Sequence, residues 1–180
     1  DKDFGCAYNP EAIIDQCAQF DGYDGGGLSQ SFLGLAEVAA DGSLNVSKFG
    51  PKAVGAGGFI NIAQSTHKVV FCGTLTAVGL KIAAADGKLT ILQEGTIHKF
   101  VKQLQQVTFS GPYAVKNGQD VLYVTERAVF RLTEDGVMLT EIAPGIDLQT
   151  QILDQMDFLP RIAPDLKEMD SRIFCTERMG

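Results

Sequence analysis

Two apolar runs, SFLGLAEV (31–38) and KVVFC (68–72), enclose a glycine-rich turn and a helical segment, GPKAVGAGGFINIAQSTHK (50–68). A strand without a polar face belongs where both sides of a sheet are covered. The order strand, glycine turn, helix, apolar strand therefore predicts an open α/β sheet with parallel core strands and flanking helices.

Downstream, the runs VLYVTE, AVFRLT and VMLTEI are joined by short turns and predict an added antiparallel section. Asp-Gly pairs at 41–42, 86–87 and 135–136 each signal a hairpin. They keep no fixed period, so they mark no repeat. NPEAIIDQCAQF reads as an amphipathic helix with Pro10 at its start and Ile13, Ile14 and Cys17 on one face. FDGYDGGGL reads as loop, and TIHKFVKQLQQVTFSG as a strand leading into a second one. IDLQTQILDQM reads as a helix with Leu148, Ile152, Leu153 and Met156 inward, and FLPRIAPDLKEMD as proline-punctuated structure.

The 180 residues suit a single domain spanning 1–180, and 45% of them are hydrophobic, enough to bury a core. A net charge of −7 argues against nucleic acid or an anionic membrane as partner, since both demand clustered Lys and Arg. No apolar run nears the roughly 20 residues that span a bilayer. DKDFGCAYNP lacks a signal-peptide pattern. Cys6, Cys17, Cys72 and Cys175 form no CxxC and no metal spacing, so reduced, mostly buried thiols of a cytoplasmic protein are expected.

Familiar catalytic patterns are missing. No GxSxG surrounds Ser29, Ser31 or Ser110, and His67 and His98 have no ligand-spaced Cys or carboxylate. GAGGFI breaks the dinucleotide fingerprint at Ile60, and no GK[ST] occurs. Glu126 and Arg127 in TERAVF read as a structural ion pair. Lys68 and Lys81 flank the apolar strand region, either as solvated surface residues or as contacts for a phosphate.

The glycines remain. Each costs about 0.5–1 kcal/mol against alanine inside regular structure, so four of them (Gly50, Gly55, Gly57, Gly58) before a helix serve a tight turn or the close approach of a ligand. A glycine turn opening a helix aims several N–H groups at one point, suited to a phosphate, a carboxylate or a developing oxyanion. On the residues alone, turn and ligand site stand level. Gly25, Gly26 and Gly27 add a second glycine loop, and open sheets bind ligands near strand ends.

Three stretches, GGGLSQSFLGLAEVAADGSLNVSKFG, GAGGFINIAQSTHKVVFCGT and QDVLYVTERAVFRLTEDGVMLTEIAPGIDL, resemble the β half of family I CoA transferases. The likeness is to acetate-, propionate- and 3-oxoacid-type enzymes that carry α and β halves in one chain. It rests on FLG-x-x-(E/Q)-V, GxGG before an apolar strand, and TERAVF followed by an IAPG turn, in that order. The resemblance implies CoA as substrate, with no tightly bound cofactor, and transfer through a glutamyl–CoA thioester. It makes Gly58, then Gly57, the oxyanion donors, with Gly55, Gly26 and Gly27 as further substrate contacts and Lys68 and Lys81 as weak CoA contacts. It also implies an α-type half as partner and a homo-oligomeric enzyme.

One departure matters. The family's nucleophilic glutamate lies in an E-x-G-x-x-G stretch just before the part matching DFG (3–5), and no such stretch occurs in this sequence. Glu37, Glu94, Glu126 and Glu141 lie outside that motif, and Ser29 stands where related sequences often carry an acid. No catalytic residue is therefore assigned within 1–180. The chain is expected to be the C-terminal domain of a longer protein, folding alone but not turning over. The alternatives on the same fold are a non-catalytic sugar-phosphate sensor, marked by an upstream helix-turn-helix, and an assembly domain.

Overall fold

The computed structural model describes residues 7–179. Its centre is one six-stranded sheet: β1 (Gln30–Gly34), β2 (Lys68–Cys72), β3 (Asp120–Val124), β4 (Ala128–Thr133), β5 (Gly136–Ile142) and β6 (Arg161–Glu168), in that spatial order. β1, β2 and β3 run parallel, with Gln30, Lys68 and Asp120 level at one end and Gly34, Cys72 and Val124 level at the other. β3, β4 and β5 are antiparallel, and β6 joins β5 in parallel. The expected mainly parallel open sheet with an antiparallel section is what forms.

All three Asp-Gly pairs close hairpins. Gly42 joins the ribbon Glu37–Val38/Leu44–Asn45, and Gly136 joins β4 to β5. At Asp86 (φ 52°) and Gly87 (φ 75°) both central residues are left-handed, the twist that matches the strands Lys81–Ala85 and Lys88–Gln93. One sheet face carries Val69, Phe71, Tyr123, Phe130 and Leu139, all fully buried. Phe71 stacks on Phe59 and Tyr123 (centroids 5.7 and 5.6 Å) and meets Phe109 edge-on at 4.9 Å. Phe59 belongs to helix α2 (Phe59–Gln64), so the glycine turn is anchored directly to the core.

Several elements differ from expectation. The first helix, α1, covers Gln16–Asp24, later than predicted and reaching into the segment read as loop. Asp15 is extended, and Ile13 is 90% exposed because it lies upstream of the helix with no face to cover. Residues 99–109 are irregular rather than paired strands. Only Ile97–His98 forms a ribbon, with Thr76–Ala77, while Phe100 and Phe109 are buried beside Val38 and Leu44. Helix α3 (Gly111–Lys116) follows, capped where the Ser110 hydroxyl accepts from Tyr113 N–H, with proline in its first turn.

Helix α4 (Leu148–Gln151) is a single turn followed by a 3-10 turn at Leu153–Gln155. Ile152 and Met156 are buried, but Leu148 and Leu153 only partly so. The proline-punctuated tail is the edge strand β6, where the missing N–H of Pro164 is tolerated. The thiols are corrected as well. Cys17, Cys72 and Cys175 are all exposed, Cys72 on the sheet face that bears exposed Phe32, while Cys6 lies outside the described residues. No helix among the described residues is long and apolar enough to cross a membrane.

Candidate active site

The glycine turn has a local explanation at each position. Gly55 (φ 82°) and Gly57 (φ 54°) adopt left-handed backbone that a side chain strains. Gly58 does not, but a Cβ there would stand 2.6 Å from the Phe20 ring. Four residues further along α1, the Asp24 carboxylate accepts from Asn61 Nδ2 at 2.9 Å. The two helices therefore lie side by side, locked by Phe20 on Gly58 and Asp24 on Asn61. The same packing carries helix α1 on to Asp24.

The backbone donors separate the candidate glycines. Gly55 N–H donates to Ser47 O at 3.1 Å, Gly26 N–H to Tyr23 O at 3.0 Å and Gly27 N–H to Gly22 O at 2.9 Å. Gly57 and Gly58 N–H donate to nothing among the described residues. Gly26 and Gly27 precede the amino end of β1, whereas the glycine turn leads into α2, which runs back toward the amino end of β2. Lys68 opens β2 and sits 4.0 Å from Asp120 at that same amino edge. Lys81 opens the exposed strand Lys81–Ala85, apart from the sheet, with no ion-pair partner among the described residues.

The opposite, carboxyl edge holds most of the buried charge. The ladder continues past the strands, with Leu35 N–H donating to Cys72 O and Gly73 N–H to Val124 O. Arg127, fully buried just beyond β3, donates to both Glu94 oxygens at 2.7 and 2.9 Å, to Glu126 Oε1 at 2.5 Å and to Gln151 O at 2.9 Å. Glu126 Oε2 accepts from Leu75 N–H at 2.9 Å, and Glu94 Oε1 from Thr76 Oγ1 at 2.5 Å. Burial opposes the guanidinium's charge, but the bonds to Glu94 and Glu126 outweigh it and raise its pKa. Burial likewise works against the Glu94 carboxylate, and Arg127 with Thr76 overcomes it, holding its pKa below the ordinary value. The ion pair expected at TERAVF is thus present, with Glu94 as a second acid that the sequence does not signal.

Beside this cluster lies Lys99, which belongs to no motif in the sequence. Its half-buried ammonium stands 3.0 Å from where a Gly73 Cβ would be, above Leu35. No group of three or more His, Cys, Asp or Glu among the described residues is placed to hold a metal ion.

No protein-family model matches the chain. Acetate CoA-transferase YdiF of Escherichia coli O157:H7 is 54% identical over 177 residues, which are 98% of this chain and 33% of that protein. Caffeate CoA-transferase of Acetobacterium woodii is 55% identical over 176 residues, 95% of this chain and 33% of that protein. The crystal structure of the acyl-CoA transferase YdiF from E. coli O157:H7, in thioester complex with CoA, matches with a TM-score of 0.91 at 55% identity. It covers 93% of this chain and 33% of that one. Glutaconate CoA-transferase from Acidaminococcus fermentans shares the fold alone, with a TM-score of 0.63 at 16% identity, covering 89% of this chain and 62% of that one. The chain spans about a third of the length of the curated relatives it matches. Matching them along nearly all of its own residues, it belongs to the family I CoA-transferases.

Proposed function

We propose that this chain is the oxyanion- and CoA-holding part of an enzyme that moves CoA between a short-chain acyl-CoA and a carboxylic acid. The nucleophile is a glutamate of the full-length protein upstream of residue 1, and an α-type half completes the site. The glutamate carboxylate attacks the acyl carbonyl, the C–S bond breaks, and CoA leaves as thiolate from an acyl–glutamyl anhydride. The thiolate then attacks the glutamyl carbonyl, expelling the first acid as its carboxylate and leaving a glutamyl–CoA thioester. The acceptor carboxylate reverses both steps, so no proton is gained or lost overall. This splits one hard exchange into easier ones.

Each attack passes through a tetrahedral oxyanion, which calls for fixed donors about 3 Å away. The observation that carries the reading is the pair of N–H groups on Gly57 and Gly58, which have no acceptor among the described residues while Gly26, Gly27 and Gly55 are all engaged. Those three glycines serve the turns that hold the pair in place. The relative described in thioester complex with CoA supports the covalent route. Of the two lysines, Lys81 is the better candidate for a CoA phosphate, because Lys68 already faces Asp120.

Steady-state kinetics of the full-length protein test this. Transfer from acetyl-CoA to propionate should give the parallel double-reciprocal lines of a ping-pong route. Gly57→Ala, which strains the left-handed turn, should lower kcat about 10²-fold by misplacing the donors. Unchanged kcat in that variant counts against the oxyanion assignment.

A further inference from the structure

We infer that Lys99 is the cation that receives the carboxylate of the acyl acceptor, an assignment that rests on the transferase reading above. Open α/β sheets bind ligands outside the carboxyl ends of their strands. Lys99 sits at that edge, where β1, β2 and β3 end together at Gly34, Cys72 and Val124. The strand floor beneath it is cut away at Gly73, where a Cβ would come within 2.8 Å of Leu35 Cγ and 3.0 Å of Lys99 Nζ. Its backbone is fixed, since Lys99 O accepts from Val38 N–H at 2.8 Å.

The ammonium itself has no hydrogen bond and no ion pair among the described residues. Glu126 is the acid whose charge acts on it, but both Glu126 oxygens are taken, by Leu75 N–H and Arg127 Nε. Burial pushes the lysine's pKa down, and Glu126 offsets part of that. A half-buried ammonium without a partner is costly to keep, and an anion that enters to pair with it recovers that cost.

Charge balance selects the anion. Arg127 is taken up by the carboxylates of Glu94 and Glu126, which leaves Lys99 as the cation beside them without an ion pair among the described residues. One unpaired ammonium suits a singly charged carboxylate. The several charges of CoA's phosphates would need further cations.

The test uses the full-length protein and acetate as the probe. Acetate is titrated calorimetrically into wild type, Lys99→Met and Lys99→Arg, and KM is measured for acetate and for propionyl-CoA. Lys99→Met should weaken acetate binding and raise its KM about tenfold or more, the effect of losing a charge-assisted hydrogen bond. KM for propionyl-CoA should stay within twofold, and Lys99→Arg should keep most of the acetate affinity. Equal acetate affinity in wild type and Lys99→Met overturns the assignment. So does an effect confined to propionyl-CoA, which points instead to a CoA phosphate. Lys99→Gln, of similar length and without charge, decides the same question should the Met variant fail to fold. Lys99-dependent acetate binding in a protein that transfers no CoA would overturn the transferase reading and keep the carboxylate site.

Discussion

Arg127 and Glu94, 33 residues apart in sequence, meet in a two-pronged ion pair at 2.7 and 2.9 Å, with the arginine fully buried. Through Glu126, Leu75, Thr76 and Gln151 this pair ties four separate segments to the carboxyl edge of the sheet. Its main consequence is positional. The loops that follow β2 and β3 are held rigid where the proposed acceptor carboxylate binds.

Arg127→Ala leaves the carboxylates of Glu94 and Glu126 without their cation. The loss should be about 3–5 kcal/mol, measured by urea unfolding of the chain. A double-mutant cycle with Glu94→Gln should show strong coupling between the two sites. Additive effects would mean that the pair contributes little beyond its separate members.

The same pair sets a pH dependence. The folded-state pKa of Glu94 lies below its ordinary 4.5. A carboxyl depressed in this way contributes stability that is fully present above its unfolded pKa and is lost as pH falls through the folded one. Melting temperature should therefore decline below about pH 4.5 in wild type, and less steeply in Glu94→Gln. Parallel declines in the two proteins would remove Glu94 as the cause.

Gly58 and Phe20 make a paired prediction. Gly58→Ala drives a methyl to within 2.6 Å of the Phe20 ring and should cost about 1–3 kcal/mol. Phe20→Leu, smaller and without the ring, should restore much of that loss in the double variant. No rescue would mean that the helix contact does not dictate the glycine.

What could be read in the sequence was the part governed by local pattern. VLYVTE, AVFRLT and VMLTEI alternate at strand period, and Asp86-Gly87 carries its hairpin in two residues, so β3, β4, β5 and the turns needed no distant information. Helix α1 runs past the predicted segment to Asp24 because Phe20 and Asp24 pack on Gly58 and Asn61, about 40 residues away in sequence but adjacent in space. Phe100 and Phe109 are buried beside Val38 and Leu44 through single bridges, while the polar residues between them stay largely exposed and form no strand. Helix α3 did carry a signal, Ser110-Gly111-Pro112, a cap followed by proline, which the neighbouring apolar residues masked.

The site divides in the same way. GAGG was visible as a turn poised to offer N–H groups. Which of its donors remain free was not, because Ser47 removes Gly55 from the set and that carbonyl's position is a tertiary fact. Lys99 and Glu94 gave no motif at all. Their place beside Gly73 and Arg127 exists only once the strands align.

The isolated 180-residue chain should fold and catalyse no CoA exchange, since the proposed nucleophile lies outside it. Assaying the purified chain with acetyl-CoA and propionate checks this, and turnover by the chain alone would place the nucleophile within it.

The most direct measurement traps the intermediate. Full-length protein is incubated with acetyl-CoA, reduced with borohydride, digested and mapped by mass spectrometry. One modified glutamate upstream of Asp1 is expected, and none within residues 1–180. A modified residue inside 1–180, or none anywhere despite CoA binding, would contradict that.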